Sequence, residues 1–167
     1  NKVIVKPINL KKSTAKELQD NSLLFRLGDR EHSKGILQSQ IKSINQSNKT
    51  TILALHKAKE LAIEMYDSLK ENDLTKFSDI LNRGWEAKRD YTKGVSNKRI
   101  EMVSKKATEN GAQALKVTGA GGGGHFFIYA NPSKHNSIIK SLKKLGVNNV
   151  DFKYQNQGAK VFEINNL

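Results

Sequence analysis

The stretch VTGAGGGGHFFIYA (residues 117–130) places five glycines within six residues, directly before an apolar and aromatic run. Glycine is costly inside regular structure because it loses the most backbone entropy on folding. The second half, HFFIYA (125–130), has strong strand propensity and is apolar on both alternating faces. We therefore predict a central strand covered on both sides, preceded by a loop whose backbone requires glycine.

Two common nucleotide loops do not fit these glycines. Gly119, Gly121 and Gly124 satisfy the spacing G-x-G-x-x-G, but a dinucleotide-binding loop is followed by a helix and here a strand follows. A P-loop would continue with Lys and Ser or Thr, whereas this one continues with His125 and Phe126. Two interpretations remain, a flexible hairpin tip or a loop whose successive amides border a phosphate or a sugar.

Outward from this loop, hydrophobic periodicity and turn residues divide the chain into helices and strands. The predicted elements are a strand at 3–5 ended by Pro7, a helix over 11–21, a strand over 22–28, three helices that begin near 51, 74 and 98, strands at 114–117 and 125–130, a helix from Pro132, and short strands near 149–153 and 160–164. From residue 22 this order is βαββαβ with additional helices in the first crossover. It predicts an α+β, ferredoxin-like sandwich with helices on one face of an antiparallel sheet.

The composition fits a single soluble domain, favours anionic ligands and excludes cysteine-based sites. The chain has 167 residues, 29 Lys and Arg against 16 Asp and Glu, a formal net charge of +13, and no cysteine. This charge attracts polyanions and phosphorylated small molecules alike, while the lack of cysteine excludes disulfides, thiolate zinc sites and a cysteine nucleophile. We expect a cytoplasmic protein without a membrane span. Because the first residue is Asn, we expect a piece of a longer protein.

The glycine stretch resembles the third, C-terminal motif of the GHMP kinase superfamily. The resemblance continues upstream through residues 81–124 and 59–81, and it is most similar to the sugar-1-kinase branch, especially the D-glycero-D-manno-heptose 7-phosphate kinases. Within that branch the residues Trp85 and Lys88 and the segment 94–96 carry the likeness.

The resemblance implies a C-terminal kinase domain at 22–167, with 1–21 as a linking strand and helix from an N-terminal half. It implies ATP-dependent phosphorylation of the anomeric hydroxyl of a sugar phosphate, with ATP and Mg²⁺ bound mainly by that N-terminal half. The family's main nucleotide loop, P-x-x-x-G-L-G-S-S-A, has no match in this sequence. We therefore expect the chain alone to be inactive and to pair with an N-terminal half. In the isolated chain the face that packs against that half would be exposed, so we expect homodimers or poor solubility.

The same resemblance, added to the residue patterns, selects candidate site residues and offers no catalytic or metal-ligating residue on this chain. Those bordering the ATP and substrate cleft are Gly119, Ala120, Gly121, Gly122, Gly123 and Gly124, and those expected to contact substrate are Lys88, Arg89, Ser96 and Lys116. Each of these side chains also has a structural alternative: a lysine stem covering apolar surface for Lys88, helix surface for Arg89, a helix cap for Ser96 and a solvent-facing strand position for Lys116. We expect His125 to be packed, and His32, His56 and His135 to lie on the surface.

A second function class is a basic, ferredoxin-like binding module for nucleic acid or a regulatory ligand. Such a module needs exposed aromatic side chains interleaved with Lys and Arg on the sheet. The aromatic residues of 126–129 lie in a run that looks buried on both faces, and no Arg-rich segment accompanies them. The kinase interpretation is therefore favoured over nucleic-acid binding.

Overall fold

A computed structural model describes residues 4–28 and 33–155. Within these ranges the chain forms six helices and four strands. In chain order they are α1 (Lys12–Asp20), β1 (Ser22–Gly28), α2 (Ser33–Asn45), α3 (Lys49–Glu71), α4 (Leu74–Arg89), α5 (Lys98–Glu109), β2 (Ala114–Val117), β3 (Gly124–Tyr129), α6 (Pro132–Lys143) and β4 (Asn148–Val150).

The four strands form one antiparallel sheet in the order β2-β3-β1-β4. β3 lies inside the sheet, where Phe126 pairs with Phe25 of β1 on one side and with Val117 of β2 on the other. The sheet order and the helices between β1 and β2 confirm the predicted ferredoxin-like βαββαβ arrangement with additional helices.

The main core lies between one face of the sheet and the helices α5 and α6. Phe25, Phe126 and Ile128 of the sheet are fully buried against Val103 of α5 and Ile138 of α6. These strand residues alternate along the sheet and the helix residues lie on single apolar stripes, which is the pattern that the sequence predicts.

A smaller apolar cluster covers part of the opposite face. Tyr129 of β3 and Ala114 of β2 are buried there against Leu18 of α1 and Phe77 of α4. The rings of Phe77 and Tyr129 meet edge to face with centroids 5.4 Å apart. Coverage of β3 from both sides, which its sequence predicts, therefore comes from two different helix layers. The prediction that helices cover only one face of the sheet is wrong, because the apolar residues on the second face of β3 also need helices to bury them.

Helix α4 covers the open edge of β2, where unpaired backbone groups would otherwise face solvent. Its Asn82 donates from Nδ2 to the Gln113 carbonyl at 2.8 Å and accepts from the Leu115 amide at 3.2 Å. Helix α3 packs against α4, and Arg83 of α4 forms a bidentate ion pair with Glu64 of α3, with N–O distances of 2.8 and 3.0 Å. Hydrogen bonding to this guanidinium lowers the pKa of Glu64.

The structure contains one helix that was not predicted and lacks one predicted strand, and some predicted positions lie outside the described residues. Helix α2 was not predicted, because Gly, Ser, Gln and Asn dilute its apolar stripe and favour turns. Ile4 and Val5 do not belong to the sheet and are 69% and 85% exposed, so the predicted strand is wrong at these two residues. A β-favouring pair needs a neighbouring strand to bond to, and none of the four strands lies beside it. Val3, His32 and the predicted strand at 160–164 lie outside the described residues.

None of the helices in the described ranges combines the length and the hydropathy needed to cross a bilayer.

Replacing Asn82 by Ala removes both hydrogen bonds to the edge of β2 and leaves backbone groups unpaired. We expect the free energy of unfolding to fall by about 1–3 kcal/mol, measured by urea denaturation. Glu86→Ala, one turn later on α4 at an exposed position, is the matched control and is expected to change stability by less than about 0.5 kcal/mol. Equal effects of the two substitutions would show that Asn82 does not protect the edge.

Candidate functional site

The glycine loop, defined as residues 119–124, has a backbone that most side chains would not tolerate. Gly119, Gly121, Gly122 and Gly124 have φ values of +71°, +105°, +74° and +82°. L-residues with a side chain rarely adopt such angles, whereas glycine does so at little cost. The glycines are therefore required by the conformation of the loop itself.

Close backbone contact is the second reason for glycine. The loop packs on the segment 94–97, with the Gly122 amide donating to the Val95 carbonyl at 2.9 Å. A Cβ on Gly121 would lie 2.7 Å from the Val95 carbonyl oxygen, and one on Gly122 would lie 2.6 Å from the side chain of Ile36. The loop is thus held against neighbouring backbone, so the flexible hairpin tip is the weaker of the two interpretations.

The hydrogen bonds of the loop leave several of its amides open. Its carbonyls at Gly119 and Gly122 accept from Lys88 and from Asn97. By contrast, the amides of Gly119, Ala120, Gly121 and Gly123 donate to none of the described residues. Gly121 and Gly123 are buried, and buried amides without an acceptor are rare in proteins. Two of these four residues, Gly119 and Gly121, have positive φ, and successive open amides around such residues form the concave geometry that binds anionic oxygens.

A cleft of about 290 Å³ opens beside Gly122 and Gly123. Arg99 of α5 also lines it, held in place by donating to the carbonyls of Leu27 and Leu145 at 3.2 and 3.3 Å. The open amide of Gly123 and this guanidinium make the cleft suitable for a negatively charged group. No sequence pattern marks Arg99, because its place in this cleft depends on how α5 packs.

Lys88 lies in the structure as a support for the loop. It is buried, and its ammonium donates to the carbonyls of Val117, at 3.1 Å, and Gly119. Both acceptors lie where β2 enters the glycine loop. A lysine bound in this way fixes the start of the loop, which favours a positioning role over direct contact with substrate.

Arg89 and Ser96 both bond to Glu101 of α5. Arg89 Nη2 donates to Glu101 Oε2 at 2.6 Å, and Ser96 Oγ donates to the other carboxylate oxygen. Arg89 also lies over the ring of Trp85, 5.4 Å from its centroid. Asn97, not Ser96, caps α5 by accepting from the Ile100 amide. Trp85 is buried in the main core.

Lys116 is a half-buried cation without an acidic neighbour. It precedes the glycine loop on β2, opposite Phe127 of β3. Burial lowers the pKa of its ammonium, and the side chain makes no ion pair or hydrogen bond with the described residues. A buried ammonium without a partner is unfavourable until an anion compensates it. Among the predicted contact residues, Lys116 is therefore the best suited to bind a phosphorylated ligand.

The described histidines and the buried aromatic side chains of the sheet form neither a metal site nor a surface for nucleic-acid bases. His125 is half-buried beside Arg26, His56 is exposed, and His135 Nε2 lies 3.1 Å from the Ala130 carbonyl. In the described part of the chain no three His, Asp or Glu side chains converge in a way that could hold a metal ion. Phe126 and Tyr129 are buried, so they offer no surface on which nucleic-acid bases would stack.

Replacing Gly121 by Ala places a methyl group against the Val95 backbone at a φ of +105°. We expect the free energy of unfolding to fall by about 1–3 kcal/mol, measured by urea denaturation. Gly84→Ala is the matched control, since Gly84 lies inside α4 with open space around its Cβ position, and it should raise stability by about 0.5–1 kcal/mol. An unchanged free energy of unfolding in Gly121→Ala would contradict the close packing of the loop against Val95.

The chain is similar to sugar kinases over nearly its whole length. It is 31% identical over 163 residues to the D-glycero-alpha-D-manno-heptose 7-phosphate kinase of Campylobacter jejuni, a match covering 98% of this chain and 48% of that protein. A Campylobacter jejuni structure assigned as a sugar kinase matches with a TM-score of 0.64 at 29% identity, over 94% of this chain and 43% of that one.

A D-glycero-D-manno-heptose 1-phosphate kinase from Bacteroides thetaiotaomicron has the same fold, with a TM-score of 0.63 at 24% identity over 96% of this chain and 42% of its own. The chain thus spans about half the length of the relatives it matches. The profile of the GHMP kinases C terminal family matches residues 65–148, which include α4, α5 and the whole glycine loop. With that match and the shared fold, the chain belongs to the GHMP kinase C-terminal family.

Proposed function

We propose that this chain is the C-terminal part of an ATP-dependent sugar kinase that phosphorylates the anomeric hydroxyl of a sugar phosphate, with D-glycero-D-manno-heptose 7-phosphate as the substrate. The observation that carries the proposal is the row of open amides in the glycine loop. The names of the relatives support a phosphorylated heptose or a related sugar as the acceptor.

In this proposal the chain forms one wall of the active cleft and binds phosphate oxygens. The amides of Gly121 and Gly123 would donate to the phosphate groups of ATP, and backbone donors in a fixed loop need no reorganisation when the transferred group gains charge. Lys88 would keep the loop in place. Lys116 would add a positive charge, which is more effective in a half-buried position than in water.

The remaining groups of the reaction would come from an N-terminal half. Phosphoryl transfer needs a metal ion that bridges the phosphates and a residue that orients the attacking hydroxyl. Because the described residues include no cluster suited to a metal ion, we assign the Mg²⁺ ligands and the catalytic acid or base to that half. ATP fits the chain through the loop amides, whereas Mg²⁺ would be held elsewhere in the enzyme.

This division predicts that the 167-residue chain alone transfers no phosphate. The kinase that contains the chain with its N-terminal half should convert D-glycero-D-manno-heptose 7-phosphate and ATP to a sugar 1,7-bisphosphate and ADP. Phosphorus NMR distinguishes the anomeric phosphate from other positions, and galactose and mevalonate serve as comparison acceptors. Transfer by the isolated chain would disprove the division, and a complete enzyme inactive on all sugars would disprove the proposed function.

The substitution Lys116→Met separates the stability cost of burying the ammonium from its contribution to ATP binding. At neutral pH we expect the variant to be more stable by about 0.5–1 kcal/mol, because burial penalises the charged amine. In the unfolded chain Lys116 keeps its proton to a higher pH than in the folded chain. The stability of the parent should therefore rise relative to that of the variant as pH increases from the lowered pKa of folded Lys116 toward the ordinary lysine value.

The same variant should bind ATP about tenfold more weakly, measured by isothermal titration calorimetry with the complete kinase. Lys140→Met, at an exposed position on α6, is the matched control and should leave both stability and ATP affinity at the parental values. Parental ATP affinity in Lys116→Met would exclude contact between this lysine and the nucleotide.

A further inference from the structure

A second cleft, distinct from the glycine loop, lies between α2, the start of α3 and the turn that follows α4. Its volume is about 500 Å³, which is within the range of small-molecule sites. All of its lining residues carry polar or charged side chains: Ser39, Lys42, Ser43, Gln46, Asn48, Thr50, Thr51, Arg89, Asp90, Thr92 and Lys93. We refer to it as the α2–α3 cleft.

Positive charge dominates the α2–α3 cleft. Lys42 of α2, Arg89 at the end of α4 and Lys93 of the following turn line it, against a single carboxylate in the lining, that of Asp90. Lys42 and Lys93 make no ion pair with the described residues. Arg89 bonds Glu101 through Nη2, and a guanidinium has five N–H donors, which leaves others for a ligand. Three such donors with surrounding hydroxyl and amide groups suit a phosphate.

The walls of the cleft are held together by the fold. Thr51, which is buried at the start of α3, donates from Oγ1 to the Tyr91 carbonyl at 3.0 Å and so ties α3 to the turn after α4. Arg89 is fixed from the other side by Glu101 and the ring of Trp85. At the N-terminus of α3 the Asn48 side chain already accepts from the Thr51 amide, so this amide is not available to a ligand. Positive charge in the cleft therefore comes from the lysine and arginine side chains.

The α2–α3 cleft is adjacent to the support of the glycine loop. Ile36 of α2 contacts Gly122, and Ser39, one turn further along the same helix face, lines the cleft. On the other wall, Lys93 directly precedes Gly94, whose carbonyl also approaches Gly122. The regions assigned to the ATP phosphates and to the phosphate of the sugar are therefore neighbours in the fold.

We propose that the α2–α3 cleft binds the phosphate group that the sugar substrate already carries, away from the hydroxyl that is phosphorylated. This assignment rests on the proposed kinase function and gives the enzyme its preference for phosphorylated over plain sugars. Lys42 and Lys93 are the primary contacts, and Arg89 completes the phosphate site.

Trp85, the single tryptophan of the chain, provides a direct readout because Arg89 lies over its ring and lines the cleft. We expect inorganic phosphate, titrated into the 167-residue chain at constant ionic strength, to give a saturable change in tryptophan fluorescence. Lys42→Gln and Lys93→Gln should each raise the phosphate dissociation constant about tenfold.

Lys59→Gln, at an exposed position on α3 outside the cleft, is the matched control and should bind phosphate like the parent. All three lysines are exposed, so the substitutions do not endanger folding. Parental affinity in both cleft variants, or equal weakening by Lys59→Gln, would overturn the proposal. Equal weakening would mean that phosphate responds only to the net charge of the chain.

Kinetics of the complete kinase separate this inference from the proposed function. Lys42→Gln should raise KM for the sugar phosphate about tenfold while KM values for ATP and for the unphosphorylated sugar stay parental. An active kinase whose KM for the sugar phosphate is unchanged would overturn the cleft assignment and leave the function standing. If the kinase were inactive on every sugar, the proposed function would fail, and the phosphate titration would still decide whether the cleft binds phosphate.

Discussion

The approach of the glycine loop to the segment 94–97 is the contact on which the rest of the site depends. The amide of Gly122 bonds the Val95 carbonyl at 2.9 Å, and Gly121 lies so close to the same residue that no Cβ fits. The contact joins the turn between β2 and β3 to the start of α5. Two loop carbonyls accept from Lys88 and Asn97, while the amides of Gly119, Ala120, Gly121 and Gly123 donate to none of the described residues.

The lysines of this chain differ in role because they differ in their neighbours. Lys88 is buried and bonds two carbonyls, so its charge is used to hold backbone. Lys116 is half-buried and its ammonium has no acceptor among the described residues, and burial lowers its pKa, so its charge is available to a ligand at a cost in stability. Lys42 and Lys93 are exposed and face a shared cleft. A net charge of +13 alone could not distinguish these three situations.

The order of elements could be predicted from the sequence because each one carries a local signal. Asn131 and Pro132 mark the start of α6, Gly111 ends the α5 region at a φ of +101°, and the apolar run after the glycines forms β3. Helix α2 carries a weaker signal, since Gly35 and its polar residues interrupt the stripe. The β-favouring residues Ile4 and Val5 show the opposite error, because strand propensity has no effect without a partner strand.

The sequence by itself determined the fold class, the family and the position of the glycine loop, because periodicity, turn residues and a local motif are all properties of neighbouring residues. Only the tertiary structure decided what the glycines contact and which cations are free. Val95 and Ile36 reach the loop from a turn and from α2, and Arg99 of α5 lines the cleft beside it. The α2–α3 cleft draws its charges from segments about 50 residues apart. Such contacts depend on how helices pack across the sheet, and no spacing along the chain encodes them.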